Sequence, residues 1–271
     1  MIADERYNLV RIKVERSKEL ICDLEAEIQA YFMTNPYVIG TKRNPETRQL
    51  VYYLVSLKPM PFKIAAIIGD MINNLRASLD HLAYQLVIVG GGTPTKNTYF
   101  PISEDAAKYK TDSPGKVKGM RQDAIDAITA AKPYKGGNET LWLIHRLNNI
   151  DKHRTILTVF SQYAVDLDGL MLRDMRRQLS SDPEFASIVA AIDNPPPVFF
   201  QEVGENVLPL KEGDEIFIES PDVEWDKNLQ FRFEIAFNET GVIESKPVLV
   251  TLKSMLDVVD NLIVDFKAFI V

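Results

Sequence analysis

The fold is decided by residues 62–89, which read FKIAAIIGDMINNLRASLDHLAYQLVIV. At about 100° per residue, the apolar side chains fall on one side of a helix and a set of polar side chains falls on another. Gly90-Gly-Gly92 then ends the pattern. The sequence predicts one long helix whose buried side carries Ile68, Met71, Ile72, Leu75, Leu79, Leu82 and Leu86, and whose polar arc carries Asn73, Arg76, Asp80 and Tyr84.

On either side of this helix the hydrophobic pattern alternates between helical and strand periods. Helical spacing predicts further helices over residues 4–31, 121–131, 138–154 and 251–271, and inserted helices over 169–193. β-Branched and aromatic runs predict strands over residues 37–39, 49–57, 155–165, 198–203, 214–219 and 229–237. The polar stretch 108–118 is predicted to belong to a long loop.

These elements predict an α+β fold. A helical domain with a short β-hairpin is expected over residues 1–155, and an antiparallel sheet with inserted helices and a closing C-terminal helix over 156–271. The two parts are expected to pack as one unit.

Composition narrows the class of protein. The chain has 271 residues, of which 46% are hydrophobic and 25% charged, enough to bury a globular core. It opens with charged residues and has no apolar run near the ~20 residues that span a bilayer, so we expect a soluble cytoplasmic protein with no membrane partner. Cys22 is the only cysteine, which excludes a disulfide framework. The net charge of -7 means that contact with RNA would need a local basic patch.

The first candidate site lies on the polar arc of the long helix. Arg76 and Asp80 are four residues apart and can pair, and His81 flanks them. Histidine exchanges a proton near neutral pH and arginine stabilises a phosphate that gains negative charge, so the pattern suits phosphodiester cleavage. The alternative is a structural ion pair, with His81 bonded to a neighbouring element.

The second candidate site is the helix over residues 138–154. Arg146, Asn149 and His153 follow one another by about one turn along one face. Asp151 could orient His153, a candidate catalytic residue, whereas the cations of the last turn could simply interact with the helix dipole. The candidate binding residues are Asn73, Arg146, Asn149, Asp151, Lys152 and Arg154.

A shared pocket is the main expectation for these two helices. If they pack side by side, Arg76, Asp80, His81, Asn149, Asp151 and His153 form one polar cavity. A metal held by the histidines and aspartates is the weaker alternative, and the chain lacks any metal-spacing motif, so no metal and no other cofactor is predicted.

Three segments carry a resemblance to known proteins. The stretch Ile68–Leu86, then Phe100-Pro-Ile102, then Asn149–Arg154 resembles signatures shared, in this order, by a group of uncharacterised bacterial proteins. That resemblance covers roughly residues 50–160 and implies a shared architecture.

A weaker likeness is to the HEPN superfamily, in which an arginine is followed after four to six residues by a histidine on a helix. Arg76 to His81 and Arg146 to His153 both fit that spacing. The likeness implies metal-independent RNA cleavage, usually across a homodimer interface, with His81 as acid and base, Arg76 as phosphate clamp and Asp80 tuning them.

The resulting hypothesis is a HEPN-like RNA-binding protein or metal-independent endoribonuclease of bacterial stress or defence, acting as a homodimer. The competing classes are a non-catalytic binding or assembly protein and a metal-dependent hydrolase. Whether the chain is an enzyme stays open among these classes.

Overall fold

The computed structural model describes residues 3–153, 157–166, 200–202, 210–219, 221 and 231–270. The helices within these residues are α1 (Ala3–Met33), α2 (Phe62–Val89), α3 (Ala106–Lys116), α4 (Gln122–Ala130), α5 (Glu139–His153), α6 (Val248–Asp265) and α7 (Lys267–Ile270). The strands are β1 (Tyr37–Arg43), β2 (Leu50–Leu57), β3 (Val159–Asp166), β4 (Phe200–Glu202), β5 (Glu215–Glu219), β6 (Phe231–Glu239) and β7 (Ile243–Pro247). The predicted α+β class is confirmed.

One local prediction was wrong, and one strand was missed. The polar stretch 108–118 was predicted as loop, yet most of it belongs to α3, whose first turn is capped by Asp105 accepting from the Lys108 N–H over 2.8 Å. Strand β7 was not predicted, because its sequence IESKP lacks the apolar alternation of a half-buried strand. The inserted helices predicted over 169–193 lie outside the described residues.

The strands separate into two antiparallel groups. Among the described strands, one sheet has the order β1-β2-β5 and the other β4-β3-β6-β7. Strand β5 pairs with β2, with Leu50 opposite Glu219, and so does not join the C-terminal sheet in which the sequence placed it. Sheet partners are chosen by side-chain packing between distant segments, which a single strand's pattern does not reveal.

Two compact units arise from this pairing. The described residues of the helical unit fall within Met1–Phe32, Met60–Val159 and Phe237–Val271, and those of the sheet unit within Met33–Pro59 and Phe160–Ala236. The units therefore do not follow the boundary predicted near residue 155. The hairpin β1–β2 belongs with β5, whereas α6 packs on α2 and α5.

Each unit has its own core. In the helical unit α2 is the central element, and its fully buried side chains include Ile64, Ile68, Leu75, Leu79 and Leu82. Burying a side chain of this size contributes roughly 1.5–3 kcal/mol, so these five side chains together favour packing by about 10 kcal/mol. In the sheet unit the core is formed by Leu50, Tyr52, Leu54, Tyr163, Leu210 and Ile216.

Gly90 is needed for packing and not for its backbone conformation. Its φ of -70° suits any residue, yet a Cβ there would lie 2.3 Å from the backbone oxygen of Gly119. We expect Gly90→Ala to lower the free energy of unfolding by about 2 kcal/mol, because backbone atoms must move to admit the methyl group. Urea denaturation measures this loss.

Gly91→Ala is the matched control for that substitution. Gly91 has a φ of 77° and nothing lies within 4 Å of its added Cβ, so only backbone strain of about 1 kcal/mol is expected. A larger loss in the Gly91 variant than in the Gly90 variant would contradict the packing role of Gly90.

Among the described helices, none combines the length and the apolar character that a bilayer crossing requires.

Candidate functional site

Helices α2 and α5 are neighbours in the helical unit and approach closely at a glycine. A Cβ added to Gly69 would lie 2.5 Å from Oδ1 of Asp151. The missing side chain therefore lets the Asp151 carboxyl lie against α2. Burial, together with the nearby Asp70 carboxylate, raises the pKa of Asp151.

The Arg76–Asp80 pair holds the backbone of Phe100. Arg76 is only 6% exposed, and its Nη2 donates to the Phe100 carbonyl over 3.0 Å. Asp80 accepts from the Phe100 N–H over 3.0 Å and pairs with Nη2 of Arg76 at 2.8 Å. Burial lowers the pKa of Arg76 and raises that of Asp80, in each case against the attraction of the partner charge. The pair thus fastens the segment that follows α2.

His145 lies on α5 close to this pair. Its Nε2 is 3.2 Å from Nδ2 of Asn149, and its buried Nδ1 has no hydrogen-bond partner among the described residues. Burial, followed by the positive charges of Arg76 and Lys116, lowers the pKa of His145 from 6.5 to about 4. The imidazole is therefore neutral at neutral pH, and a bond donated by the Asn149 amide to Nε2 would leave the ring proton on Nδ1.

Glu104 connects the 100–104 segment to α5. Its carboxylate accepts from Nη1 of Arg146 over 3.0 Å and from the indole N–H of Trp142 over 3.2 Å. The ammonium group of Lys135 lies 4.6 Å from the centre of the Trp142 ring, within cation–π range. Arg146 is thereby held in position while it stays about one-third exposed.

A polar cavity of about 340 Å³ opens on α5, lined by Arg146, Asn149, Ile150 and His153. It combines a guanidinium, an amide and an imidazole, which can bind an anion, accept or donate a hydrogen bond and exchange a proton. His153 and the neighbouring Lys152 are exposed. Asn149 also contacts His145. The cavity therefore adjoins the buried cluster formed by Arg76, Asp80 and His145.

The structure brings only some of the predicted residues together. Arg146, Asn149 and His153 share the cavity, whereas His81 is exposed and its Nδ1 lies 3.3 Å from the Leu9 carbonyl of α1. Within the described residues, no hydrogen bond joins Asp151 to His153. Asn73 is half-buried on α2, Lys152 is exposed, and Arg154 lies outside the described residues. For the first candidate site, this arrangement matches the structural alternative of an ion pair and a bonded histidine.

Three residues of the cluster were missed by the sequence reasoning. His145 precedes Arg146 in the same helix, and its spacing of four from Asn149 was the available signal. Lys116 lay in a stretch taken for loop, yet it ends α3 and its Nζ lies 3.4 Å from the Ile102 carbonyl. Glu104 follows the Phe100-Pro-Ile102 signature, and its role depends on contacts that no local pattern shows.

A larger hollow of about 490 Å³ lies elsewhere in the helical unit. It is lined by Met60, Pro61, Phe62, Ala65, Leu157, Thr158 and Val159. These side chains include no titratable group, so the hollow offers no acid or base for catalysis.

No group of three or more histidine, cysteine, aspartate or glutamate side chains in the described part of the chain is arranged to hold a metal ion. Comparison of the chain with protein-family models, curated proteins and solved structures gave no match.

Proposed function

We propose that the chain binds RNA and cleaves it without a metal at the α5 cavity, as a HEPN-like protein of bacterial stress or defence. The observation that supports this most is the meeting of Arg146, Asn149 and His153 in one polar cavity. Arg146 and His153 are also the second pair that fits the HEPN spacing. The homodimer remains part of the prediction.

The chemistry needs two roles that these side chains can fill. In metal-independent cleavage, the ribose 2′-oxygen forms a bond to the adjacent phosphorus while the bond from phosphorus to the 5′-oxygen breaks. His153 takes the proton of the 2′-hydroxyl, and its imidazolium returns a proton to the leaving 5′-oxygen. Arg146 stabilises the negative charge that develops on the phosphate.

The contacts of Arg146 suit that role. Among the described contacts, Glu104 engages Nη1 alone and Nε is buried, so Nη2 is left for a substrate phosphate. The ion pair pre-orients the side chain, which lowers the entropy lost on binding. Exposed Lys152 adds local positive charge to a chain whose net charge is negative.

The first pair is a weaker candidate for catalysis. Arg76 is buried and bonded to Phe100, and His81 lies against α1. An arginine that holds its own backbone is poorly placed to bind a substrate phosphate. The proposal therefore assigns catalysis to Arg146 and His153, and assigns a structural role to Arg76 and Asp80.

The test is cleavage of a single-stranded RNA by purified protein in excess chelator. We expect His153→Ala to slow cleavage by about 10²-fold or more, because general acid–base catalysis contributes that much. Arg146→Ala should slow it similarly by loss of charge stabilisation. Melting temperatures measured in parallel should stay close to that of the wild type for the exposed His153.

His81→Ala is the matched control, since it removes another exposed histidine of the same unit. It should leave the rate within about twofold of the wild type. Loss of cleavage in this variant with retention in His153→Ala would reverse the assignment. Loss of cleavage on chelation would point to the metal-dependent class, and RNA binding without any cleavage would point to the non-catalytic class.

A further inference from the structure

Three cationic side chains converge on one short segment within the described residues. Nη2 of Arg76 contacts the Phe100 carbonyl at 3.0 Å, and Nζ of Lys116 contacts the Ile102 carbonyl at 3.4 Å. Arg146 pairs with the Glu104 side chain at 3.0 Å. Arg76, Lys116 and Arg146 also all act electrostatically on His145. Cations from α2, α3 and α5 therefore lie near one imidazole.

These cations and the adjacent histidine have unused hydrogen-bonding capacity. Nη1 of Arg76, Nε of Arg146 and Nδ1 of His145 are buried, and none has a partner among the described residues. Arg76 is more than nine-tenths buried. Buried N–H groups are nearly always paired in folded proteins, so three unpaired nitrogens in one cluster indicate an acceptor that the described residues do not supply.

Lys116 is the cation of this cluster that forms no ion pair with a described residue. Asp80 pairs with Arg76 and Glu104 pairs with Arg146, whereas the carboxylates of Asp112 and Asp80 act on Lys116 only from beyond ion-pair distance. The pKa values of Arg76 and Lys116 are both lowered, chiefly by burial. An added anion would reverse these effects, because it would stabilise each positive charge.

We infer that Arg76, Lys116, His145 and Arg146 form a binding site for one phosphate-type oxyanion. Its oxygens accept from Nη1 of Arg76, Nε of Arg146 and Nδ1 of His145, and Lys116 supplies the compensating charge. A tetrahedral oxyanion suits this arrangement because it presents several acceptor oxygens to donors that come from different directions. Binding of an oxyanion here does not require RNA cleavage, although Arg146 belongs to both sites.

Two sources of the oxyanion share this chemistry. One is free phosphate, and the other is the terminal phosphate of an RNA strand bound at the α5 cavity, which rests on the proposed function. The second source is favoured by Arg146, because this residue lines the cavity and also carries one of the unpaired nitrogens.

The experiment is a calorimetric titration of the full chain with inorganic phosphate at pH 7.5, with ionic strength held constant by chloride. We expect saturable binding at one site. Lys116→Met should weaken it by about tenfold, because the positive charge that compensates the anion is lost. The matched control is Lys118→Met, which removes an exposed lysine two residues further on and should change little. Should Lys116→Met fail to fold, Arg146→Gln tests the same prediction.

A second readout follows the imidazole of His145 by NMR. Its pKa, about 4 without phosphate, should rise when phosphate is bound beside Nδ1. The groups that face it are Arg76 on α2, Lys116 on α3, Glu104 and Arg146. Absence of saturable phosphate binding, or equal weakening by Lys118→Met and Lys116→Met, would overturn the inference.

Competition between inorganic phosphate and short oligoribonucleotides decides which source supplies the oxyanion. A strand with a terminal phosphate that displaces inorganic phosphate at least about tenfold better than the same strand with a hydroxyl end identifies the RNA end as ligand. Failure of both strands to displace inorganic phosphate identifies free phosphate, and either result supports the site. Failure of RNA cleavage alone would remove the proposed function and leave the phosphate titration unaffected.

Discussion

Replacing Asp80 by alanine should lower the free energy of unfolding by about 3–5 kcal/mol, the range for removing one partner of a buried ion pair. The substitution leaves the Arg76 guanidinium, 7% exposed as a side chain, without its counterion. It also leaves the Phe100 N–H without its acceptor. Both losses weaken the contacts by which α2 holds the backbone of Phe100. The loss of unfolding free energy should therefore exceed that of a substitution at the surface. Urea denaturation at pH 7 in phosphate-free buffer measures it.

Asp70→Ala provides the matched control on the same helix. Asp70 is exposed, and its carboxylate acts only electrostatically, on Asp151 and on exposed Arg16, so its removal should stay within about 0.5 kcal/mol of the wild type. Removing both charges with Arg76→Leu and Asp80→Ala should cost less than the sum of the single losses, because no buried charge is then left unpaired. Strictly additive losses would contradict the coupling of this pair.

The second large effect is a loss of stability on acidification that depends on His145. The pKa of this imidazole is about 4 in the folded chain and 6.5 ordinarily, so between these values the unfolded chain binds a proton that the folded chain does not. Stability therefore falls as the pH is lowered from about 6.5 to 4. This difference of about 2.5 pKa units corresponds to about 3 kcal/mol.

The comparison of the wild type with His145→Gln isolates this contribution. We expect the difference in unfolding free energy between the two chains to shift by about 2–3 kcal/mol from pH 7.5 to pH 4, to the disadvantage of the wild type. Because the pKa of Asp80 is raised, its contribution to stability changes with pH in the opposite direction. That contribution is the same in both chains and cancels in the comparison. His81→Gln, which alters an exposed histidine, should follow the wild-type profile. Parallel profiles for the wild type and His145→Gln would disprove the buried neutral imidazole.

Helix α2 could be predicted from its local hydrophobic pattern alone. The spacing of its apolar residues and the glycines after Val89 were enough to predict the observed helix Phe62–Val89. Helix α3 and strand β7 were not predicted because neither has a clear apolar period. Helix α3 buries little beyond Tyr109, and β7 buries little beyond Ile243. Strand β5 was found, but its partner β2 lies far along the chain and could not be identified from either strand alone.

The sequence by itself determined what neighbouring residues can do. Helical geometry places Arg76 beside Asp80, and it places Arg146, Asn149 and His153 along one face of α5, because these relations depend only on spacing within one element. Tertiary structure decided which of the two arginine–histidine pairs lines a cavity, that the Arg76–Asp80 pair holds Phe100, and that His145 is buried among cations from other elements. Those outcomes depend on the distances between α2, α3, α5 and the 100–104 segment. Long-range packing sets these distances, and no local period encodes them.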